Sequence, residues 1–500
     1  MRIDKINMKN NNQQPGVLSK SIHGGKWMLM SSVTQKGLSL ITFFVLARLL
    51  MPADYGVMAV VFIIVQFFTK FTEYGFETAL IQRKESAEKY FDAVWTVNIL
   101  KSIFIFVVIF FFAQPISSFF HIPEAANLIK LSGLLSIFSG LGNVRNILFF
   151  KDFDFKKIFL RDFASQITFT IVALGWAVFI STSVWALFVG HVARIGIGTI
   201  MTYVLMPVMP KISFQFKKLR DLMAYSKWIF GKSLVLYGLG MVDSILVGRM
   251  LNPVSLGFYS KSRDLSSTAT MPIIQSITKV SFSSYSRLQD QLGKIQEGFL
   301  KTIDILMLIA VPFSLIIMLE GGAIVMFLLG AKWFGIIVPL KILSFTFLIT
   351  GFSEILAPLF DGAGRPDITF KARVVQLIFS IIFVYYGITL YGTNGAAFGL
   401  LGSAFVILFY MIWQGRSFLN LGKEKFMPAI LSSSFSVLIV LGLDILLRFT
   451  IHDSLSNLVL VVWSVFLGLV YLVCIWFIGA LFDSGPRYTL ITVLRELKNK

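Results

Sequence analysis

The sequence predicts an all-α polytopic membrane protein of about fourteen transmembrane helices, arranged as two pseudo-symmetric six-helix lobes and a C-terminal helix pair. Three observations predict it. Apolar residues make up 56% of the 500 and charged residues only 14%, with a mean hydropathy of +0.79; with 51 Phe and no large polar block, no water-soluble domain fits. Lysine and arginine collect in alternate short loops. The stretch LARLLMPADYG, Leu46 to Gly56, returns as LVGRMLNPVSLG, Leu246 to Gly257, and the pairs Trp27/Trp228, Arg48/Arg249, Pro52/Pro253 and Gly56/Gly257 are all 201 residues apart. Four matches in one register indicate duplicated helical hairpins, each turned at a proline and a glycine.

Residues 1–26 are polar and basic, without the layout of a cleaved signal peptide, and read as a cytoplasmic tail. Because roughly 20 apolar residues cross the hydrocarbon, the N-lobe, 27–206, divides into Trp27–Leu50, Tyr55–Leu80, Phe91–Ala113, Leu128–Phe150, Phe159–Ser181 and Val184–Met206. A basic linker, 207–227, opens with prolines. The C-lobe, 228–414, gives Trp228–Met250, Ser255–Tyr285, Phe299–Leu319, Phe334–Phe360, Ile368–Leu390 and Gly392–Gln414. Residues 415–482 supply two further spans, Met427–Phe449 and Leu455–Phe482, without counterparts in the repeat, and 483–500 form a second tail.

Orientation follows from the positive-inside rule. Lys151, Lys156, Lys157 and Arg161 fall on the side of the N-terminus, as do Lys217, Lys218, Arg220 and Lys227, and Arg365, Lys371 and Arg373. The intervening loops 181–183, 391–393 and 452–454 contain neither residue. Both termini are therefore expected in the cytoplasm. The same pattern accounts for the net charge of +19, so no nucleic-acid partner is implied. Six spans between the copies make the repeats parallel, an architecture suited to alternating access around a central pocket.

Ionisable residues inside spans are expensive and tend to face a pocket. They concentrate in the two repeated hairpins: Lys36 in span one; Lys70, Glu73 and Glu77 on one face of span two; Lys232 and Asp243 on one face of span seven; Lys261, Arg263 and Asp264 in span eight. Shifted by 201, Lys36 meets Tyr237, Lys232 meets Ser31, Asp243 meets Thr42 and Lys261 meets Val60, so the scaffold repeats while its charges do not. The basic excess favours an anionic ligand, with Lys36, Lys70, Lys232, Lys261 and Arg263 as its candidates. Glu73 and Asp243 are the candidates for ion or proton coupling. His191, Arg194, Lys341 and Glu354 are weaker intramembrane polar positions. Arg48 and Arg249 end their helices, where a cation suits the carbonyl end of the dipole. Gly238, Gly240, Gly395, Gly399 and Gly402 read as close helix packing.

No Walker A, HExxH or GxSxG pattern occurs. The four histidines are scattered and the one cysteine, Cys474, lies in an apolar run, so no metal site, disulfide or cofactor is expected.

LARLLMPADYGVMAV, its echo LVGRMLNPVSLGFYSKSRDL, FLLGAKW (Phe327 to Trp333) and LFDGAGRPD (Leu359 to Asp367) resemble the polysaccharide transporter family, and within it the Wzx-type lipid-linked oligosaccharide flippases of the colanic-acid exporter kind. That family is part of the multidrug/oligosaccharidyl-lipid/polysaccharide exporter superfamily. The resemblance implies two six-helix lobes around a cationic cavity lined by the first two helices of each lobe. It implies a non-enzymatic flippase for undecaprenyl-pyrophosphate-linked oligosaccharide in cell-surface polysaccharide biosynthesis (O-antigen, capsule or exopolysaccharide). Membrane lipids and the polysaccharide polymerase machinery are the implied partners. Two rival functions fit the composition less well. Extrusion of cationic drugs suits an acidic or aromatic cavity better than a basic one, and a membrane-embedded glycan polymerase or ligase calls for a large outer loop carrying arginine or histidine.

Overall fold

The computed structural model describes residues 17–72, 88–152, 154–288, 291–419, 427–450, 456–481 and 485–498, and among them there is no strand. The helices are α1 (Val17–Leu49), α2 (Pro52–Phe71), α3 (Glu88–Phe119), α4 (Ala126–Gly140), α5 (Phe155–Phe179), α6 (Val184–Leu205), α7 (Phe216–Met250), α8 (Pro253–Arg287), α9 (Leu292–Leu328), α10 (Ile337–Gly362), α11 (Pro366–Leu419), α12 (Met427–Thr450), α13 (Asn457–Ile478) and α14 (Pro486–Lys498).

Among the described residues eleven helices are long and apolar enough to cross a membrane, twelve if one bent pair is a single span. The chain is a multi-pass membrane protein. The difference from the expected count of about fourteen lies in the bent fourth span, in α8 and in α11. The serine-rich α8 is not among the eleven. Residues 366–416 count as one helix, although Tyr391 and Gly392 leave helical geometry, Gly392 at φ 56°. At about 1.5 Å per residue, this 54-residue helix exceeds any bilayer crossing, and the break folds it into a hairpin. A Cβ on Gly387 or Gly395 would run into the other's carbonyl, and one on Gly399 would meet Phe383 backbone at 2.5 Å. These close approaches require glycine. Gly402 packs on the Phe383 ring and Gly238 on Leu377, as helix-packing glycines, whereas nothing lies within 4 Å of a Cβ on Gly240.

Two boundaries differ from the sequence reading. The fourth span is not continuous. α4 stops at Gly140 and the 3-10 turn Val144–Ile147 and the short helix Leu148–Lys151 follow at a bend of 64°. Asn143 makes the break: its side chain accepts from Arg145 N at 3.1 Å and donates to the Met206 and Val208 carbonyls at 3.1 and 2.9 Å. The seventh span begins in the basic linker, because α7 starts at Phe216. Only the first part of the linker is extended, and it docks on α3, where Lys211 N and Ser213 N donate to Asp92 and Thr96 at 3.2 and 2.9 Å.

Contacts divide the chain into two compact units. One comprises Met1–Leu49, Val65–Gln114 and Ala126–Phe230, the other Leu50–Ile64, Pro115–Ala125 and Gly231–Lys500. In the first, α5 packs on α1 and α6, and α4 on α6. In the second, α8, α9 and α11 surround α10, and α13 lies on α9 and α12. The core of the second unit is built from Ile274, Phe299, Leu306, Leu359, Phe360, Ile407 and Tyr471. Large apolar side chains such as Phe179 and Phe449, each 86% exposed, cover the lateral surface, as lipid contact requires.

The last helix pair is built into the second unit. Tyr471 on α13 donates to the Met307 carbonyl of α9 at 3.0 Å and lies 3.0 Å from Ser433 on α12. Thr489 of α14 donates to the buried Asp304 of α9 at 2.6 Å. Removing a hydrogen bond to a buried charged group costs about 1.5–3 kcal/mol. Thr489→Val is therefore expected to lower the thermal midpoint of the detergent-solubilised protein, and Thr489→Ser to restore it.

Candidate functional site

The two repeated turns meet in the second unit through bare backbone. A Cβ on Gly56 would collide with the Pro253 carbonyl, and a Cβ on Gly257 with the Pro52 carbonyl. The contact is reciprocal: each proline opens its helix and presents its carbonyl to the other's glycine. Local chemistry fixes both turns. The Asn252 side chain accepts from Ser255 N at 2.9 Å as the N-cap of α8, and Asp54 accepts from Met51 N at 2.8 Å. FLLGAKW supplies a second tie. Gly330, at φ 90°, turns the chain into the 3-10 turn Ala331–Ile336, whose Lys332 donates to the Leu50 carbonyl at 2.7 Å. Trp333 is fully buried between Tyr55 and Phe258, with ring centroids 5.3 and 6.2 Å away. Arg249 donates to the Phe119 carbonyl at 2.9 Å and stacks on the Phe119 ring at 4.9 Å. It bridges to the end of α3 rather than capping α7 alone.

Further along this hairpin lies the charge cluster. Asp243 on α7 is fully buried. It accepts from Arg263 at 3.1 Å, from the Tyr259 hydroxyl at 2.9 Å and from Ser244 N at 2.9 Å. Arg263 also donates to the Gly240 carbonyl. Lys261 is placed differently. Its ammonium is 2.6 Å from Asp264 and 5.3 Å above the Tyr55 ring. The Lys261 and Arg263 side chains are each 21% exposed, but Asp264 is 63% exposed and Asp243 fully buried, so water screens the first pair and cannot reach the carboxylate of the second. Ser262 and Ser266, on the next face of α8, donate to the Ile336 and Leu340 carbonyls at 3.1 and 3.0 Å. The polar residues that disqualify α8 as an apolar span thus serve as adhesive to α10. Tyr237, which the repeat aligns with Lys36, donates to the Ile63 carbonyl at 2.9 Å.

Of the predicted site residues, Asp243, Lys261 and Arg263 are brought together. Lys36 and Lys70 belong to the first unit, on α1 and α2, the former exposed and the latter half-buried. Glu73 and the side chain of Lys232 lie outside the described residues. His191 packs on the Phe169 ring at 4.5 Å. Sequence reasoning missed a polar layer in the first unit, where Gln35 of α1 donates to Asp162 of α5 at 3.2 Å and Asp162 pairs with Arg161 at 2.8 Å. It also missed Glu320, Asp444 and Arg448 in the second, where the one local signal was the i,i+4 spacing of Asp444 and Arg448 inside an apolar run. Among the described residues no group of three or more His, Cys, Asp or Glu is placed to hold a metal ion.

The model of a family described as polysaccharide biosynthesis protein matches residues 45–338. The lipopolysaccharide biosynthesis protein WzxC of Escherichia coli K12 is 24% identical over 388 residues, 76% of this chain and 78% of its own. The succinoglycan biosynthesis transport protein ExoT of Rhizobium meliloti is 22% identical, over 72% of this chain and 73% of its own. In fold the chain is similar to the lipid II flippase MurJ in an inward closed conformation, with a TM-score of 0.74 at 15% identity over 91% of this chain and 98% of that one.

Removing one member of a buried ion pair strands the other and costs about 3–5 kcal/mol. Arg263→Ala is expected to destabilise the protein by that order. The pair Asp243→Asn with Arg263→Gln should recover most of the loss, measured as thermal unfolding in detergent.

Proposed function

We propose, on the premise that the chain belongs to the polysaccharide biosynthesis protein family and within it to the Wzx-type polysaccharide transporters, that it is a flippase for polyprenyl-pyrophosphate-linked oligosaccharide. It carries the unit from the inner to the outer leaflet of a bacterial inner membrane, with both termini in the cytoplasm, by alternating access. Relatives named for lipopolysaccharide and succinoglycan biosynthesis and the fold likeness to a lipid II flippase support this reading.

The observation that carries it is the contrast between the two cations of α8. Arg263 is committed to the buried Asp243, whereas Lys261 has a carboxylate partner that is itself 63% exposed. A pyrophosphate offers more charge and more acceptor oxygens than Asp264 does, and so displaces it from Lys261. Lys36, Lys70 and Lys232 supply further cationic contacts to the substrate, and Arg263 acts from behind, with Asp243 and Tyr259 fixing its position. Asp243 is in turn the group whose protonation would loosen Arg263 for the anion. Glu73 remains the second coupling candidate, from its place three residues after Lys70 in the sequence.

The combined change Lys36→Ala, Lys232→Ala and Lys261→Ala is expected to abolish surface polysaccharide without loss of protein from the membrane; normal polysaccharide would remove these residues from the substrate path. In a strain lacking the protein, one complete lipid-linked unit should accumulate on the inner leaflet, detected by mass spectrometry of the lipid extract. Unchanged lipid-linked intermediates would overturn the flippase reading.

A further inference from the structure

A second buried charge network lies in α9, α10 and α12, away from the hairpin. α9 breaks at Glu320, which leaves helical geometry at φ −106°, ψ 17°. The break turns the Leu319 carbonyl outward, where it accepts from Lys341 of α10 at 2.9 Å and from Arg448 of α12 at 3.2 Å. Arg448 also donates to Glu320 at 2.8 Å and to Asp444 at 2.7 Å. Both carboxylate side chains are 3% exposed, while Arg448 is 38% exposed. Two buried carboxylates thus share one guanidinium. Asp444 Oδ1 is buried with no hydrogen-bond partner among the described residues. No further ionisable side chain from α8 or α13 joins them: α13 contains no Asp, Glu, Lys, Arg or His, and the charged residues described on α8 with ion pairs engage other partners.

We propose that Asp444 and Glu320 form a proton-binding site, with Asp444 Oδ1 as the atom that takes the proton. An unpartnered carboxylate oxygen in a low-dielectric interior is costly, and converting it to a hydroxyl removes part of that cost. One proton and one positive charge enter a network that holds Lys341, Arg448 and two carboxylates; no bond other than the new O–H forms. A neutral Asp444 holds Arg448 more weakly, so the guanidinium of α12 is left to Glu320 and the Leu319 carbonyl, both on α9, and proton uptake tightens the tie of α12 to the break in α9. A proton fits better than a metal ion. Hard cations gather several oxygens, and here the other named oxygens are already taken by Arg448 and Lys341. The network sits near the end of α9, the start of α10 and the end of α12, the helix ends remote from the basic loops. In the proposed orientation that is the outer side, reached past the exposed edge of Arg448. Proton uptake stands on this geometry alone; that the proton drives the substrate rests on the flippase reading.

The test is infrared difference spectroscopy of the full-length protein in lipid nanodiscs, between neutral and acidic buffer. Wild type should gain a protonated-carboxyl C=O band that Asp444→Asn lacks, that Glu320→Gln shifts in its titration midpoint, and that Glu124→Gln leaves unchanged. Arg448→Gln should show the band already at neutral pH, which keeps the test decisive if the Asn variant folds poorly. The wild-type band persisting in Asp444→Asn, or appearing only when sodium is exchanged for choline, would overturn the site. The same variants expressed in the deletion strain separate the two readings. Loss of the band with normal polysaccharide export would remove the coupling role and leave the flippase. Loss of the site's band with no effect of the whole-protein deletion on lipid-linked intermediates would remove the flippase and leave the proton site.

Discussion

Hydrocarbon offers no water to a charge, and the internal design of this protein follows from that constraint. Asp243 has three donors on its carboxylate, Asp162 has Arg161 and Gln35, and Glu320 has Arg448. Backbone carbonyls freed at breaks are treated the same way: the Leu319 carbonyl takes Lys341 and Arg448, and the Leu50 carbonyl takes Lys332. Cations therefore do two tasks in this membrane protein. They neutralise carboxylates, and they stand in for the amide that a broken helix no longer supplies.

The reciprocal contact between the two hairpins shows why this particular pair of turns repeats. Gly56 and Gly257 each admit the carbonyl of the other copy's proline. A change at one glycine has no compensating change at its own proline, since the carbonyl it meets belongs to the proline of the other copy. An added methyl here forces backbone apart, and overpacking of this kind costs about 1–3 kcal/mol. Each turn is thus held by the other, while the charges further along the same helices are not bound by any such reciprocity. That freedom is how a symmetric scaffold carries the unsymmetric set Asp243, Lys261 and Arg263.

The helical hairpins were legible because proline, glycine and a fixed register are local signals. The apolar runs of α9, α12 and α13 were legible by length. The break after Gly140 was not, because it depends on Asn143 reaching the Met206 and Val208 carbonyls more than 60 residues on. The cationic residues of α8 were found from their cost in lipid, yet sequence could not separate Arg263, sequestered by a residue 20 positions earlier, from Lys261. The Asp444–Arg448 spacing is readable as one helical turn inside an apolar run. Glu320, whose cation is 128 residues distant, is not.

The last helix pair shows how such distant partners change the meaning of a segment. By repeat logic α12 and α13 are additions without counterparts. In the folded chain Arg448 of α12 occupies the break in α9, and Tyr471 of α13 donates to the same helix at Met307, roughly three and a half turns before the break at Glu320. Since α9 also receives Thr489 of α14, three consecutive C-terminal helices are fastened to one long helix at successive heights. Polar ties of this kind fix register where lipid and side chain are equally apolar, because greasy surfaces alone do not discriminate between neighbouring positions along a helix. The C-terminal helices are therefore a part of the second unit that α9 organises, and whatever moves α9 moves them with it.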